Sequence, residues 1–335
     1  MSHDLELIQG AKNAVQVAMK VEPSDRVFIL TDQETLDVAQ ALEDEIKTVG
    51  ATVVSVCLEE SGARPITRFP EELAQCITSF SPTVTFYAAS VKENELALRT
   101  GLIALVLGQL GARHAHMPTI TAQIMREGMR LDYNQVSELT LRVYEIVRHA
   151  KTIHVTSPDG TDILARFDEK LRWLPMNGLY HKPRSFGNLP EGEVCTSPAF
   201  IEGRFVAYVL GDYLSAKYSV LPQPVTFEIV ASHAEKIECE RQDIADEVAD
   251  YLDSVENGRR VGEFAIGTNT GIARLCGFIL QDEKIPGVHI AFGDPLGHQT
   301  GADWTSAIHV DVVNPGCTIE VDGETLMKDG RFILK

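Results

Sequence analysis

The strongest constraint on the fold is an alternation of short apolar runs with longer amphipathic stretches in the first 150 residues. β-Branched and aromatic residues dominate three short runs, Arg26 to Thr31, Thr52 to Leu58 and Thr83 to Ala89. Helical periodicity characterises the stretches that follow them, Thr35 to Thr48, Glu71 to Phe80 and Glu93 to Leu110. An alternation of this kind predicts an open α/β sheet with crossover helices.

Nothing in this half resembles a glycine-rich dinucleotide fingerprint or a P-loop, so the sequence gives nucleotide binding no support. The one polar cluster here contains Arg113, His114 and His116. We interpret these three as surface residues. If they face a ligand instead, Arg113 suits a carboxylate, because its guanidinium can form two parallel hydrogen bonds.

Beyond residue 150 the pattern changes to short strands separated by Gly, Pro and Asp. The predicted strands are Thr152 to Thr156, Asp162 to Phe167, Arg204 to Leu210, Val225 to Val230 and a pair around Asp322 and Gly323. One helix, Glu240 to Asp253, carries an apolar stripe of Ile244, Val248 and Leu252. We therefore predict two domains: an N-terminal open α/β sheet domain over 1–150, and a C-terminal β-rich α+β domain over 151–335.

Composition limits the partners. The chain has 335 residues, 48 of them acidic and 30 basic, for a formal net charge of −18. This charge opposes binding to nucleic acid or to an anionic membrane surface, so we expect a small peptide or small-molecule substrate. No apolar run approaches the roughly 20 residues of a membrane span, and no secretion signal opens the chain. The six cysteines are scattered singly along the sequence, which fits reduced thiols in a reducing compartment. We therefore expect a cytoplasmic protein.

The segment Ser306 to Val313 carries the clearest chemical signal. Along a strand, alternation places His309 and Asp311 on one face and the apolar residues between them on the other. An imidazole and a carboxylate side by side are typical ligands of a divalent metal ion.

Three further candidate ligands lie upstream in strand-like segments: Glu193, Glu263 and His289. Each has a structural alternative, since Glu193 and Glu263 could be solvated or paired carboxylates and His289 a hydrogen-bonded core histidine. A buried carboxylate needs a proton, a salt bridge or a cation. Three carboxylates and two imidazoles in one domain therefore favour a metal centre of the C-terminal domain, able to hold two divalent ions.

An ordered set of motifs resembles the aminopeptidase T/aminopeptidase S family of metallopeptidases. The motifs are Leu189 to Val194, Gly262 to Asn269, Asp282 to Gly293, Ser306 to Asp311 and Val321 to Glu324. The resemblance implies that Glu193, Glu263, His289, His309 and Asp311 bind two ions, with Zn²⁺, Co²⁺ and Mn²⁺ as the candidates and Glu263 as the bridging ligand. It also implies a homodimer and a metal-activated water that hydrolyses an N-terminal peptide bond or small amide.

The family has a catalytic tyrosine where this chain carries Leu296. His298 in the following loop is our candidate for its role, beside Glu263 as the group that transfers the proton of the water.

More distantly, the chain resembles the 2,5-dihydroxypyridine 5,6-dioxygenases, in which two histidines and one aspartate hold a single Fe²⁺. Their first ligand is a histidine at the position of Glu263. This resemblance implies the alternative function, a mononuclear Fe²⁺ dioxygenase that opens hydroxypyridine-type rings.

Overall fold

The computed structural model describes residues 4–334, and its secondary structure changes character near residue 150. The strands of the first part are β1 (Arg26–Thr31), β2 (Thr52–Cys57), β3 (Val84–Ala88) and β4 (Arg113–His116). Its helices are α1 (Leu5–Lys12), α2 (Leu36–Val49), α3 (Glu71–Phe80), α4 (Leu96–Ile103), α5 (Ala122–Glu127) and α6 (Tyr133–Val147). α1 and α4 continue into π-helical turns over Asn13–Ala18 and Ala104–Gln109, and a 3₁₀ turn spans Leu58–Glu60.

The remainder of the chain consists mainly of strands. They are β5 (Thr152–Thr156), β6 (Asp162–Arg166), β7 (Leu174–Met176), β8 (Phe186–Asn188), β9 (Glu193–Thr196), β10 (Phe200–Ala207), β11 (Val209–Leu210), β12 (Val225–Val230), β13 (His233–Glu238), β14 (Val261–Gly267), β15 (Gly287–Gly293), β16 (His309–Pro315), β17 (Thr318–Val321), β18 (Glu324–Lys328) and β19 (Arg331–Phe332). The helices are α7 (Tyr213–Tyr218), α8 (Gln242–Asp253), α9 (Ile279–Asp282) and α10 (Gly297–Thr300). No helix within residues 4–334 is both long enough and apolar enough to cross a membrane.

The chain divides into two compact units. Among the described residues, unit 1 contains 4–137 and 178–191, and unit 2 contains 138–177 and 192–334. This division differs from the predicted one at residue 150 in two ways. The observed boundary after residue 137 falls within helix α6. The segment 178–191 returns to unit 1 because β8 pairs with β4.

Unit 1 is built on a parallel sheet in the order β2-β1-β3-β4-β8. Every residue of β3 and all but the first of β1 are buried, as expected for inner strands covered by helices on both faces. Tyr87 of β3 shares one apolar cluster with Leu98 and Leu102 of α4. The predicted open α/β sheet is confirmed.

The interpretation of Arg113, His114 and His116 as surface residues is wrong. β4 is an inner strand because β8 pairs on its outer side, so His114 is fully buried and His116 nearly so. The Nδ1 atom of His114 lies 2.7 Å from the Thr85 hydroxyl. Arg113 donates to Asp25 Oδ2 at 2.6 Å, which makes it a structural ion pair.

A buried ion-pair network joins the loops at the carboxyl ends of β1 and β3. Arg64 pairs with both Asp32 and Glu95, and its Nε donates to Glu95 Oε1 at 2.9 Å. Both carboxylates are almost completely buried. Burial alone would raise the pKa of Asp32 and of Glu95, but hydrogen bonds, including those from Arg64, hold both below the usual range.

Unit 2 contains two antiparallel sheets and helix α8. The eight-stranded sheet has the order β13-β12-β10-β6-β5-β17-β18-β19, and the six-stranded sheet has the order β11-β16-β15-β14-β9-β7. The predicted stripe of Ile244, Val248 and Leu252 is buried in one apolar core with residues of both sheets. The predicted β-rich second domain is confirmed.

The predicted continuous strand from Arg204 to Leu210 is wrong at its end. β10 stops at Ala207, and after Tyr208 the chain passes from the eight-stranded to the six-stranded sheet as β11. Here the Gly211 N–H donates to the Asp311 carbonyl at 2.6 Å, and a Cβ on Gly211 would lie 2.8 Å from the Asp311 nitrogen. Glycine at 211 therefore lets this segment approach the strand that carries His309 and Asp311.

The Arg64 network gives a stability prediction for unit 1. Arg64→Met leaves two buried carboxylates without their cation and should lower the unfolding free energy by about 3–5 kcal/mol near pH 7. The loss should shrink as the pH falls below the ordinary carboxyl pKa near 4, because a carboxylate whose folded pKa is lowered stabilises only while ionised. Urea unfolding at several pH values measures this. Arg241→Met, which removes an exposed pair with Asp243, is the control and should change little. An equally small effect of Arg64→Met would contradict the prediction.

Candidate metal centre

The central strands of the six-stranded sheet carry their ionisable side chains on the face opposite the main apolar core. The residues that it contributes to the core alternate along its strands: Phe264 and Ile266 of β14, Val288, Ile290 and Phe292 of β15, and Val310 and Val312 of β16. Glu263, His289, His309 and Asp311 occupy the intervening positions. Because side chains of a strand alternate between faces, the core residues fix these four on the other face. The predicted alternation at His309 and Asp311 is confirmed.

The strand register explains why these side chains meet. Ala291 pairs with Glu263 on one side and with Asp311 on the other, so a small residue separates two carboxylates. His309 pairs with Gly293, His289 pairs with Ala265, and Glu193 pairs with Gly267. Each long ionisable side chain therefore has a small cross-strand neighbour, which leaves space above the sheet for the polar groups to converge.

His309 is held by a backbone hydrogen bond on one side of its ring. Its Nδ1 lies 2.8 Å from the Asp294 carbonyl oxygen, so Nδ1 carries the hydrogen and donates. Its Nε2 lies 3.0 Å from Glu263 Oε2 and 3.4 Å from Asp311 Oδ1. This arrangement, in which one ring nitrogen donates to a carbonyl and the other points into a group of ligands, is typical of metal-binding histidines.

His289 is buried among three carboxylates. Its Nε2 lies 3.6 Å from Glu193 Oε2, 3.9 Å from Asp311 Oδ1 and 4.0 Å from Glu263 Oε1. These distances exceed a hydrogen bond but match the spacing of about 3–4 Å between ligand atoms that share an ion about 2.0–2.2 Å away. All five predicted ligands are therefore brought together.

Two residues that the sequence analysis missed join the group. The ammonium of Lys284, which is 2% exposed, lies 2.8 Å from Glu193 Oε1 and 2.7 Å from Glu283 Oε1. Both follow α9, directly before β15. The signal available was the run Asp282, Glu283, Lys284 before a buried strand, which also fits an exposed turn.

The ionisable groups of the centre shift one another's pKa values. Burial, together with repulsion from Asp311 and Glu193, raises the pKa of Glu283 to about 8 despite the Lys284 charge. Although burial opposes ionisation, hydrogen bonding with His309 and its charge lower the pKa of Glu263, and the His309 charge lowers that of Asp311. The same carboxylates outweigh burial at His309 and raise its pKa well above the usual value. The centre thus favours positive charge.

The donor set fits a divalent cation. Ligand atoms of Glu263, His309 and Asp311 lie within 4.8 Å of one another, and so do those of Glu283, His289 and Asp311. His289 Nδ1 is buried and has no hydrogen-bond partner within residues 4–334. Carboxylate and imidazole ligands together suit Zn²⁺, Mn²⁺ or Fe²⁺. Cys195 lies beside Glu193 and Glu263, but burial and their charges raise its pKa well above that of a free thiol, which disfavours the thiolate a metal would need.

The structure does not bring His298 to the group. His298 lies on the short helix α10 and is exposed, and no hydrogen bond or ion pair of the described residues joins its ring to the five ligands. Leu296 begins this turn in the left-handed region, at φ 53°. The catalytic role of His298 stays a prediction without geometric support.

A fold of two units with a buried group of carboxylate and imidazole side chains is typical of a metal-dependent enzyme. The chain belongs to the 2,5-dihydroxypyridine 5,6-dioxygenase family, NicX, whose family model matches residues 7–266. The match includes Glu193 and Glu263 and ends before His289. No curated protein matched the chain.

Two solved structures share the whole fold. The 2,5-dihydroxypyridine dioxygenase from Pseudomonas putida KT2440 is 13% identical, with a TM-score of 0.69 over 98% of this chain and 97% of the other. AmpT from Thermus thermophilus is 17% identical, with a TM-score of 0.70 over 99% of this chain and 100% of the other. At these identities the two structures show the fold alone. Both families that the sequence motifs resemble are thereby found among the matches.

Metal content tests the ligand assignment. Asp311→Asn and His309→Ala should each lower the divalent ion bound per chain after reconstitution, because each removes a charge or a ring nitrogen from the centre. His298→Ala should keep the wild-type content. Elemental analysis by mass spectrometry measures the ions, and unchanged content in the first two variants would refute the assignment.

The buried ammonium gives a separate stability prediction. Lys284→Met removes the cation that pairs with Glu193 and Glu283 and should destabilise the protein by about 3–5 kcal/mol in urea unfolding. The matched control is Lys217→Met, since Lys217 pairs with Glu247 at 2.6 Å but is half exposed. Its loss should have little effect. Similar effects of the two substitutions would show that burial of Lys284 adds nothing.

Proposed function

We propose that this protein is a ferrous-iron-dependent dioxygenase that opens a hydroxypyridine-type ring. Membership of the 2,5-dihydroxypyridine 5,6-dioxygenase family supports the reaction class. The geometric observation that carries the proposal is the position of Asp311. Its Oδ1 lies 3.4 Å from His309 Nε2 and 3.9 Å from His289 Nε2. Two imidazoles and one carboxylate are the typical ligand set of non-haem Fe²⁺ oxygenases.

His289 can replace the histidine ligand that this chain lacks at position 263. The dioxygenases that the sequence resembles have a histidine where this chain has Glu263, which leaves only one imidazole among the corresponding ligands. His289, on the neighbouring strand, supplies a second Nε2 at 4.0 Å from Glu263 Oε1. The two-histidine, one-carboxylate composition is thereby kept, with Glu263 as an additional acidic neighbour.

Ferrous iron held there would supply the activation of O₂ and an anchor for a ring hydroxyl. The protein residues orient and balance this chemistry. The Asp294 carbonyl fixes the His309 ring, and Lys284 neutralises part of the negative charge through Glu193. Ring opening by a dioxygenase places both oxygen atoms of O₂ in the product and breaks one ring bond. The ring supplies the electrons, so no separate reductant is consumed.

A two-metal hydrolase of N-terminal peptide bonds or small amides is the second candidate. One observation favours it: the groups Glu263, His309, Asp311 and Glu283, His289, Asp311 share Asp311. Two ligand groups with a common carboxylate suit two neighbouring ions that activate a water. In this arrangement Asp311 would be the ligand common to both ions, whereas the sequence resemblance implied Glu263 in that role.

Oxygen uptake separates the two functions. Protein loaded anaerobically with Fe²⁺ should consume one O₂ for each 2,5-dihydroxypyridine whose ring absorbance is lost. His309→Ala should lower the rate by more than about 100-fold, since even residues that only hydrogen-bond to a metal ligand contribute about 10- to 100-fold. Glu263→His should retain iron and activity, because it restores the ligand found in the related dioxygenases.

The opposite pattern would overturn the proposal in favour of the hydrolase. It consists of no O₂ uptake with the iron-loaded protein, together with release of amine from amino-acid anilides by Zn²⁺-, Co²⁺- or Mn²⁺-loaded protein. In that case two ions per chain and loss of activity in Glu263→His are expected.

A further inference from the structure

Two polar groups near the carboxyl end of β3 in unit 1 lack partners. Tyr87, the penultimate residue of β3, is completely buried, and its hydroxyl has no hydrogen-bond partner within the described part of the chain. The same holds for the buried Nε of Arg99 on α4. Arg99 also forms no salt bridge with any carboxylate of residues 4–334. An unsatisfied buried donor costs about 1–3 kcal/mol, so two of them in one place suggest a missing acceptor.

The helix and the strand that carry these two groups pack against each other. In the sequence of α4, Arg99 directly follows Leu98. Leu98 and Leu102 pack with Tyr87 in one apolar cluster. His116 stacks on the Tyr87 ring with 5.1 Å between centroids. Burial raises the pKa of Tyr87 to about 12, partly opposed by the Arg99 charge, and the same charge adds to burial in lowering the pKa of His116. The Arg99 charge therefore acts on both rings, and the Arg64 charge acts on Tyr87 as well.

The neighbouring carboxylates form their ion pairs and hydrogen bonds with groups other than Arg99. Asp32 and Glu95 are engaged by Arg64, by the Ser90 N–H at 2.7 Å and by the Ile66 N–H at 2.8 Å. One guanidinium for two carboxylates leaves that network with one net negative charge. A singly charged ligand at Arg99 is consequently easier to accommodate than a doubly charged one.

The location is one where open α/β sheets bind ligands. In the sheet order β2-β1-β3-β4, β2 lies on one side of β1 and the later strands lie on the other, so the direction of strand addition reverses between β1 and β3. Ligands of such sheets bind outside the carboxyl ends of the strands at this switch point. Tyr87 and the loop that leads to α4 lie at this end of β3.

We propose that Arg99 and Tyr87 form a binding site for the carboxylate group of a small molecule. The guanidinium can donate two parallel hydrogen bonds to a carboxylate, and the Tyr87 hydroxyl can donate a third. All residues of this site belong to unit 1, whereas the candidate metal ligands belong to unit 2. The site therefore does not depend on the proposed function.

Nitrogen-15 spectra of the arginine side chains test the site on the full-length protein. Acetate and benzoate are titrated at constant ionic strength, and inorganic phosphate is titrated in a parallel arm. The Arg99 Nε–H signal, assigned through its absence in Arg99→Lys, should shift saturably with both carboxylates and less with phosphate. Tyr87→Phe should weaken binding about tenfold, the equivalent of one lost hydrogen bond of about 1.4 kcal/mol. Arg99→Met should abolish it.

Matched controls define the site. Arg130→Met removes an exposed arginine of unit 1 and should leave binding unchanged. His309→Ala should also bind carboxylates normally, even if it loses all metal-dependent activity. Tyr87→Phe keeps the ring and its packing, so its fold should be preserved. Three results would each overturn the proposal: no saturable shift of the Arg99 signal, tighter binding of phosphate than of carboxylates, or a crystal structure with only an ordered water between Arg99 and Tyr87.

Discussion

Side-chain alternation along β14, β15 and β16 is the constraint on which the rest of unit 2 depends. The same strands supply Phe264, Ile290 and Val312 to the core and Glu263, His289 and Asp311 to the opposite face. A shift of one residue in any strand would bury charged groups in the apolar core and expose core residues. The hydrophobic core thus fixes the register, and the register fixes the spacing of the ionisable centre.

Electrostatics determines what this centre can hold. Glu193, Glu263 and His289 are almost completely buried, and Lys284 provides a positive charge for Glu193 and Glu283. Buried charges of one sign are costly unless opposite charge compensates them. The raised pKa of His309 shows an excess of negative charge in the group, and the same charge adds to burial in raising the pKa of Glu283. A divalent cation compensates this excess and uses ligand atoms that are already close together.

The sequence predicted those features that depend on local pattern. The buried runs of β1 and β3, the stripe of α8 and the position of His309 beside Asp311 follow from periodicity alone. The features that depend on distant partners were missed. β8 covers β4 only because residues 178–191 return to unit 1, so His114 and His116 were misread as surface residues. Lys284 and Glu283 lie in a short turn, where charged residues are usually exposed, and only the fold reveals the contact of Lys284 with Glu193 and the place of Glu283 beside His289.

The central claim is that the five side chains surround a cation. Anomalous diffraction from crystals of the full-length protein, grown anaerobically with Fe²⁺ or with Mn²⁺, measures this directly. The structure predicts an anomalous peak within about 2.0–2.3 Å of His309 Nε2 and of an Asp311 oxygen. A metal-loaded crystal with its peak elsewhere, and with Glu263, His309 and Asp311 paired only with one another, would contradict the claim.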